Sequence, residues 1–353
     1  MKILHTSDIH LMNLDDDRWK TLLRLLEIGK QEEIDLFVIS GDLFDKDVAA
    51  DELRTKIRSA FSGNNFKIII LPGNHDNESY KSGYHYGDDI IIINDLEKPY
   101  EYMNIRIWGL PYENLDGDEV LERIYGMKNK FTDDKTNILL YHGELVDTFF
   151  ARNDFGEEGE KRYMPVRLSY FNDLNIDYIL AGHFHTRFDV WQINDNKYFV
   201  YPSSPISITK KEVGVRKVNL FEIGNPPKAY ILDTPYFENI NIKFDPIEDL
   251  KPLEKVAKSI EDAPSHAKIC LKIEGYLNCI GIGTNEEDLI SDLREMFSSK
   301  CYEINYEFKD ISTILEDDLF KKSFKRLKDR NINEIKENKM RELLIKGMMG
   351  LNL

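Results

Sequence analysis

At 353 residues, 42% of them apolar, the chain is long enough for one large α/β domain and something smaller, each with its own core. A net charge of −16 argues against a domain that holds nucleic acid by general attraction to phosphates. It leaves room for an acidic site that gathers divalent cations, and such ions or a partner would have to offset repulsion from a polyanionic substrate.

The three cysteines, Cys270, Cys279 and Cys301, are odd in number and lie far from the histidine motifs, which fits thiols in a reducing compartment better than a disulfide framework. No apolar run approaches the ~20 residues of a membrane span, and MKILHTSD has no long apolar leader core. A cytoplasmic protein without a membrane partner is expected.

In chain order, continuous apolar runs at 2–6 (KILHT), 35–40 (DLFVIS), 67–71 (KIIIL), 137–141 (NILLY) and 178–181 (YILA) predict strands covered on both faces. Between them, Trp19, Leu22, Leu23 and Leu26 fall at amphipathic helical spacing, and Leu53, Ile57 and Phe61 do so again. Asp15, Asp16 and Asp17 read as an acidic helix start rather than a metal cluster. The alternation predicts an α/β fold around a central sheet. FDVWQI, KYFVYP, VRKVNLFEI and KAYILD then read as antiparallel strands completing a second sheet, with GNPPK (224–228) as a turn.

Near Pro235 the pattern changes. Alternating strands at Ile240/Ile242/Phe244, Ile269/Leu271/Ile273 and Tyr302/Ile304/Tyr306/Phe308, separated by helical stretches around 250–262 and 285–298, predict a small α+β domain. From 312 the chain reads as helical, with Leu319, Phe320, Phe324, Leu327, Met340, Leu343, Leu344 and Met348 on one side. The expected division is therefore 1–234, 235–311 and 312–353.

The chemistry follows the first five strands. Each is followed within a few residues by metal-competent groups: Asp8 and His10, Asp42, Asn74 and His75, His142, then His183 and His185. Ligands of open α/β sheets bind beyond the carboxyl ends of the strands, so these motifs are expected along one edge. Two imidazoles one residue apart in AGHFHT have no use in a dry core, where each ring needs partners, but both can turn toward a metal centre.

With Asp42 shared, the set divides into Asp8, His10, Asp42 and His185 for one ion and Asp42, Asn74, His142 and His183 for the other. Oxygen and nitrogen donors without thiolate suit Mn²⁺, Fe²⁺ or Zn²⁺ better than Mg²⁺. Two such ions about 3.5–4 Å apart activate a bridging hydroxide and clamp phosphoryl oxygens, which predicts a hydrolase. His75 is needed by neither set. It is expected to protonate the departing oxygen, with Asp76 holding its ring in the useful tautomer.

Asp8-x-His10, Gly41-Asp42, Gly73-Asn74-His75-Asp76, His142 and Gly182-His183-x-His185, in this order, resemble the calcineurin-like binuclear metallophosphoesterase superfamily. ILHTSDIHL, GDLFD, LPGNHD, AGHFH and YPSSPISITKKEVGVRKVNLFEI are more narrowly similar to the SbcD-type DNA exonucleases, the nuclease subunits of double-strand-break repair complexes. The resemblance covers residues 1 to about 230. It implies a four-layer αββα sandwich with two mixed sheets, a small α+β capping domain, and C-terminal helices that dock on an SMC-like coiled-coil ATPase. It also implies Mn²⁺-dependent action on DNA and a homodimer. Ser203 stands where a glycine is usual, and Asp45 where some relatives carry histidine.

Other residues read less sharply. His5 fits a packed or supporting role, and His85 and His266 fit surface positions. Lys81, Tyr80, Tyr84 and Tyr86 form either a structured loop or a base-stacking surface. Lys210, Lys211, Arg216 and Lys217 are phosphate contacts or a solvated strand edge. FKKSFKRLKDR reads as half of a partner-docking helix pair, because its apolar side has no obvious domain left to cover. The competing functional reading is a phosphodiesterase or phosphatase for a small nucleotide or phosphoester, which the acidic charge favours.

Overall fold

The computed structural model describes residues 1–45, 50–80, 86–147, 162–330 and 333–351. Four parallel strands come first: β1 (Lys2–Thr6), β2 (Leu36–Ser40), β3 (Lys67–Leu71) and β4 (Ile90–Ile92). Helices α1 (Asp17–Gln31) and α2 (Ala50–Phe61) follow β1 and β2. The acidic run before α1 starts the helix as expected: the Asp16 carboxylate caps it by accepting from the Trp19 amide at 3.0 Å.

The second sheet comprises β5 (Tyr100–Tyr102), β6 (Ile105–Leu110), β7 (Thr136–His142), β8 (Tyr178–Gly182), β9 (Asp189–Asn194) and β10 (Lys197–Tyr201), with α3 (Gly117–Gly126) between β6 and β7. Its order is β5-β6-β7-β8-β10-β9. The chain then returns: β11 (Lys217–Glu222) pairs antiparallel with β1, and β12 (Ala229–Ile231) with β11, so the first sheet runs β12-β11-β1-β2-β3-β4.

Alternate residues of each strand explain the continuous apolar runs. Leu4, Phe37, Ile39, Ile68 and Ile70 pack with Leu22, Leu25 and Ile57 of the helices, while Ile3, Leu36, Val38 and Ile69 pack with Ile107, Ile138, Leu140 and Leu180 of the facing sheet. The far side of that sheet, through Leu139, Tyr141 and Ile179, packs with Val120 and Ile124 of α3. The result is a helix–sheet–sheet–helix sandwich with two mixed sheets.

Two sequence readings change. The five motif-bearing strands do not share one central sheet, since β1, β2 and β3 lie in the first and β7 and β8 in the second. The strands after residue 202 also do not complete the second sheet. β9 closes the edge of β10, and the free edge of β1 takes β11 instead. A hydrophobic period reports that a strand is buried, not which strand it pairs with.

The chain separates into two compact units, Met1–Phe237 and Glu238–Leu353. The second holds a three-stranded sheet of β13 (Tyr236–Phe244), β14 (Ala267–Leu277) and β15 (Cys301–Asp310). Between these strands lie α4 (Pro252–Glu261), α5 (Cys279–Ile282) and α6 (Glu286–Phe297), which share a core of Phe244, Val256, Leu271, Ile273, Leu293 and Phe297.

The last helices, α7 (Ser312–Glu316), α8 (Asp318–Lys328) and α9 (Glu334–Leu351), belong to the same unit. Part of their apolar side is covered after all, because Phe320, Ile345 and Met348 pack with Ile311, Ile314 and Tyr276. Leu319, Ile335 and Leu343 stay 55%, 82% and 62% exposed. Among the described residues no helix is long and apolar enough to cross a membrane.

Candidate metal centre

Where β1 and β2 end, the chain bends through left-handed backbone at Asp8 (φ 54°), His10 (φ 51°) and Asp42 (φ 52°), and β8 ends likewise at His183 (φ 92°). That conformation costs side-chain-bearing residues about 1–2 kcal/mol each, so the neighbours must enforce it. They do so through a ladder between the two turns: the Asp8 amide donates to Gly41 O at 3.1 Å, His10 to Asp42 O at 3.0 Å and Leu11 to Leu43 O at 2.8 Å. Gly73 is required by close approach, because a Cβ there would lie 2.0 Å from Asp42 Oδ1.

Asp76 locks the third motif onto the second. Its Oδ1 accepts from the Gly73 amide at 2.8 Å; its Oδ2 accepts from Leu43 at 2.7 Å, Phe44 at 3.2 Å and the Tyr80 hydroxyl at 3.0 Å. This corrects the expectation that Asp76 orients the His75 ring, since both carboxylate oxygens are already committed to the two loops. Burial, with the neighbouring Asp42 charge, pushes its carboxyl up to about 7.

The predicted ligands converge from both sheets. His142 Nδ1 lies 2.8 Å from Ser40 O, which turns its Nε2 to 2.9 Å from Asn74 Oδ1 and 3.2 Å from Asp42 Oδ2. His185 Nε2 is 3.4 Å from Asp8 Oδ1, and His10 Nε2 is 3.8 Å from Asp42 Oδ2. The His183 amide donates to Asp8 Oδ2 at 3.0 Å, and its ring lies 5.3 Å from that of His142. His75 donates its amide to Asp42 Oδ1 at 2.9 Å and sets its ring edge-on to His10 at 4.7 Å.

Three groups bring donor atoms within 4.8 Å of one another: Asp8, His10 and His185; Asp8, Asp42 and His142; and His10, Asp42 and His75. The first holds three of the four residues expected for one ion, without Asp42. The other two place Asp8 beside Asp42 as a second shared carboxylate and bring His75 to the edge of the cluster.

The residues fit divalent cations. His10 Nε2 is buried without a hydrogen bond, and Asp42 Oδ2 and His185 Nε2 are buried with only an ion-pair partner each, His142 at 3.2 Å and Asp8 at 3.4 Å; an unsatisfied buried polar atom costs about 1–3 kcal/mol unless something else satisfies it. All three belong to the convergent groups. The donors are carboxylate, amide and imidazole, as first-row divalent ions prefer.

Charge is tightly balanced here. Burial opposes ionisation of Asp8 and Asp42, yet the facing imidazoles, His185 for Asp8 and His142 for Asp42, hold both well below the usual carboxylate range. Burial likewise opposes a charge on His142, but Asp42 beside it pushes its pKa up to about 10, and Asp8 and Glu212 hold His185 well above its ordinary value. Burial wins at His10 and His183, lowered to about 4 and about 3.

These upward shifts favour the protonated forms of His142 and His185 in the metal-free protein. Those protons must leave before the rings act as ligands, so binding Mn²⁺ at about pH 7.5 is expected to release about one to two protons. Apparent affinity rises with pH, by up to about tenfold per unit for each proton released, until pH reaches the raised pKa of His142. Calorimetry in buffers of different ionisation enthalpy measures the number; a value of zero contradicts it.

Beyond the motifs, His5 is buried in β1, in register with Asn219 of β11, and His266 is exposed. Tyr80 and Tyr86 are buried and pack on each other at 5.6 Å; Lys81, Tyr84 and His85 lie outside the described residues. Lys210 and Lys211 are exposed and Lys217 is half-buried. Arg216 is neither a phosphate contact nor a solvated edge. It is fully buried and donates to the carbonyls of Ser204, Thr186 and His185.

Asp45 stands 3.9 Å from His10 Nδ1 and 3.2 Å from Arg18. Ser203 has φ 69°, which explains why glycine suits that position. Two residues escaped the sequence reading: Tyr163, whose ring lies 4.6 Å from His183, and Glu212, 3.4 Å from His185 Nδ1. Glu212 lies within the stretch similar to the SbcD-type nucleases, but its charged run KKEVGVRK resembles a surface loop, and Tyr163 carried no signal.

The family model for calcineurin-like phosphoesterases matches residues 1–187. A protein from Staphylococcus epidermidis, named as the D component of the nuclease SbcCD, is 22% identical over 393 aligned residues, covering 98% of both chains. The protein of the same name from Staphylococcus saprophyticus is 23% identical, over 79% of this chain and 77% of its own. A dimetal phosphatase structure from Danio rerio aligns with 62% of this chain and 91% of its own at 12% identity and a TM-score of 0.43, too low to carry an argument. The family match spans more than half of the chain and takes in every expected metal ligand from Asp8 to His185, so the chain belongs to the calcineurin-like phosphoesterase family.

Proposed function

We propose that this protein is a metal-dependent DNA nuclease subunit that hydrolyses phosphodiester bonds with two divalent ions, Mn²⁺ in the first instance. The observation that carries the reading is the convergence of Asp8, His10, Asp42, His142 and His185 donor atoms in one buried cluster, joined by Asn74 and His183. DNA as substrate is supported by the two relatives named as nuclease components, one of them similar along almost the whole chain.

Asp8, His10, Asp42 and His185 would hold one ion, and Asp42, Asn74, His142 and His183 the other. When bound, such ions supply Lewis-acid activation of water and a clamp on phosphoryl oxygens. The chain's own residues supply position and protons. Ser40 O fixes the His142 ring, and Asp76 ties the turns carrying Asp42 and His75 to one another. His75, half-exposed at the rim, is the group assigned to protonate the departing sugar oxygen, and the hydrogen bond its backbone amide donates to Asp42 Oδ1 holds it against the cluster.

The proposed partner is an SMC-like coiled-coil ATPase. The exposed Leu319, Ile335 and Leu343 of α8 and α9 support docking through these helices. A homodimer in the cytoplasm completes the proposal.

The test is digestion of linear DNA with Mn²⁺, with and without the ATPase. His75→Ala is expected to lower cleavage by about 10²–10⁴-fold while leaving bound metal unchanged. Absence of metal-dependent cleavage in both conditions rejects the nuclease reading. The net charge of −16 favours the second reading, a small-molecule phosphodiesterase or phosphatase. Turnover of a natural nucleotide or phosphoester far above that of DNA would establish it instead.

A further inference from the structure

Glu212 lies 27 residues beyond His185 and outside the stretch that the family model matches. Its side chain is fully buried, and both carboxylate oxygens are fixed: Oε2 accepts from the Ile208 amide at 2.8 Å and Oε1 from the Thr209 hydroxyl at 3.2 Å. The same Oε1 stands 3.4 Å from His185 Nδ1. Arg216, a little further along the chain and equally buried, bonds the carbonyls of His185, Thr186 and Ser204, and the Ser204 amide returns a bond to His185 O at 3.1 Å. One segment thus braces both the backbone and the ring of His185.

His142 shows what such a brace accomplishes. With Ser40 O at its Nδ1, the Nε2 faces Asp42 and Asn74. At His185, Glu212 takes Nδ1 and Nε2 faces Asp8, with the His10 ring 5.2 Å away. A neutral imidazole carries one ring proton, and an acceptor at Nδ1 keeps it there, leaving the Nε2 lone pair directed into the cluster.

We propose that Glu212, while Arg216 braces the His185 backbone, is a positioning residue that holds His185 as an Nε2 ligand and thereby sets the affinity of the ion bound by Asp8, His10 and His185. This rests on the reading of the cluster as a metal centre, and not on DNA as its substrate.

The experiment is Mn²⁺ calorimetry on the full chain, comparing the natural protein with Glu212→Gln and Glu212→Met. Both substitutions remove the charge and keep similar volume, but only Gln retains a carbonyl acceptor. Glu212→Met is expected to weaken one of two binding events by about 10–100-fold and leave the other unchanged, with Glu212→Gln recovering most of the loss. Equal losses in both variants would mean that the lost charge, and not an acceptor at Nδ1, sets the affinity, and no loss in either would mean no role; each result overturns the proposal.

Should Glu212→Met fail to fold, ¹⁵N spectra of the Zn²⁺-loaded natural protein and Glu212→Gln decide. A proton on Nδ1 of His185 in both supports the assignment, and a bare Nδ1 in the natural protein overturns it. A natural protein that binds no Mn²⁺ defeats the metal centre and this inference together, whereas intact binding without DNA cleavage defeats only the nuclease reading.

Discussion

Asp42→Asn is expected to lower metal-dependent phosphodiester hydrolysis by on the order of 10³-fold or more while leaving the fold in place. The substitution isolates one atom. Asp42 Oδ1 accepts from the His75 amide at 2.9 Å, and an asparagine oxygen can keep that bond. Oδ2 is buried, 3.2 Å from His142 and 3.8 Å from His10, and the carboxylate takes part in two of the three donor groups.

An amide nitrogen at that position neither binds a cation nor offsets one. The support that raises the His142 pKa to about 10 goes with it, so the ring reverts toward the neutral form that burial favours. Metal analysis after Mn²⁺ dialysis and a cleavage assay check both halves. Full activity with a normal metal content in this variant would remove Asp42 from the mechanism.

Gly182→Ala is expected to destabilise the first unit by about 3–4 kcal/mol and to abolish metal binding. Gly182 ends β8 hard against the end of β2 in the facing sheet. A Cβ there would lie 2.0 Å from Ser40 O and 2.8 Å from Ser7 Cβ, and neither atom belongs to a long side chain that can swing aside. Ser40 O is also the acceptor for His142 Nδ1, so relieving the clash displaces a ligand.

For a unit of this size the loss corresponds to a fall of roughly 10 °C in Tm. Gly126→Ala is the control. Gly126 closes α3 with open space around it, and alanine there should be neutral or stabilising by up to about 1 kcal/mol. Thermal unfolding of the two variants side by side gives the answer; similar stabilities would show that the sheets can separate to admit a methyl group.

The convergent cluster of metal-competent side chains was legible because it obeys a local rule. A buried parallel strand followed at once by Asp, Asn or His puts that side chain beyond the strand's carboxyl end, and β1, β2, β3, β7 and β8 all do so within a few residues. The left-handed turns that aim Asp8, His10, Asp42 and His183 were not legible, because nothing local favours them. They persist only because the ladder between the β1 and β2 turns and the packing of Gly182 against Ser40 hold them.

Asp76 shows the limit of the local rule. Next to a catalytic-looking histidine it resembled an orienting carboxylate, yet the nearest needy donors in space are amides of Gly73, Leu43 and Phe44. Glu212 is the converse: a residue in KKEVGVRK with every mark of a surface charge, yet buried, where the Ile208 amide and the Thr209 hydroxyl take its carboxylate.

By itself, then, the sequence determined which strands are buried on both faces, where α1 starts, and which side chains have the chemistry of a metal centre. Those properties are set by hydrophobic period and residue type within a few positions. Only the tertiary structure decided that the five strands belong to two sheets, that β11 returns to the first, and that Asp76, Glu212 and Arg216 support the ligands. Each of these depends on which distant backbone or side-chain group meets a buried polar atom, and chain neighbours do not encode that meeting.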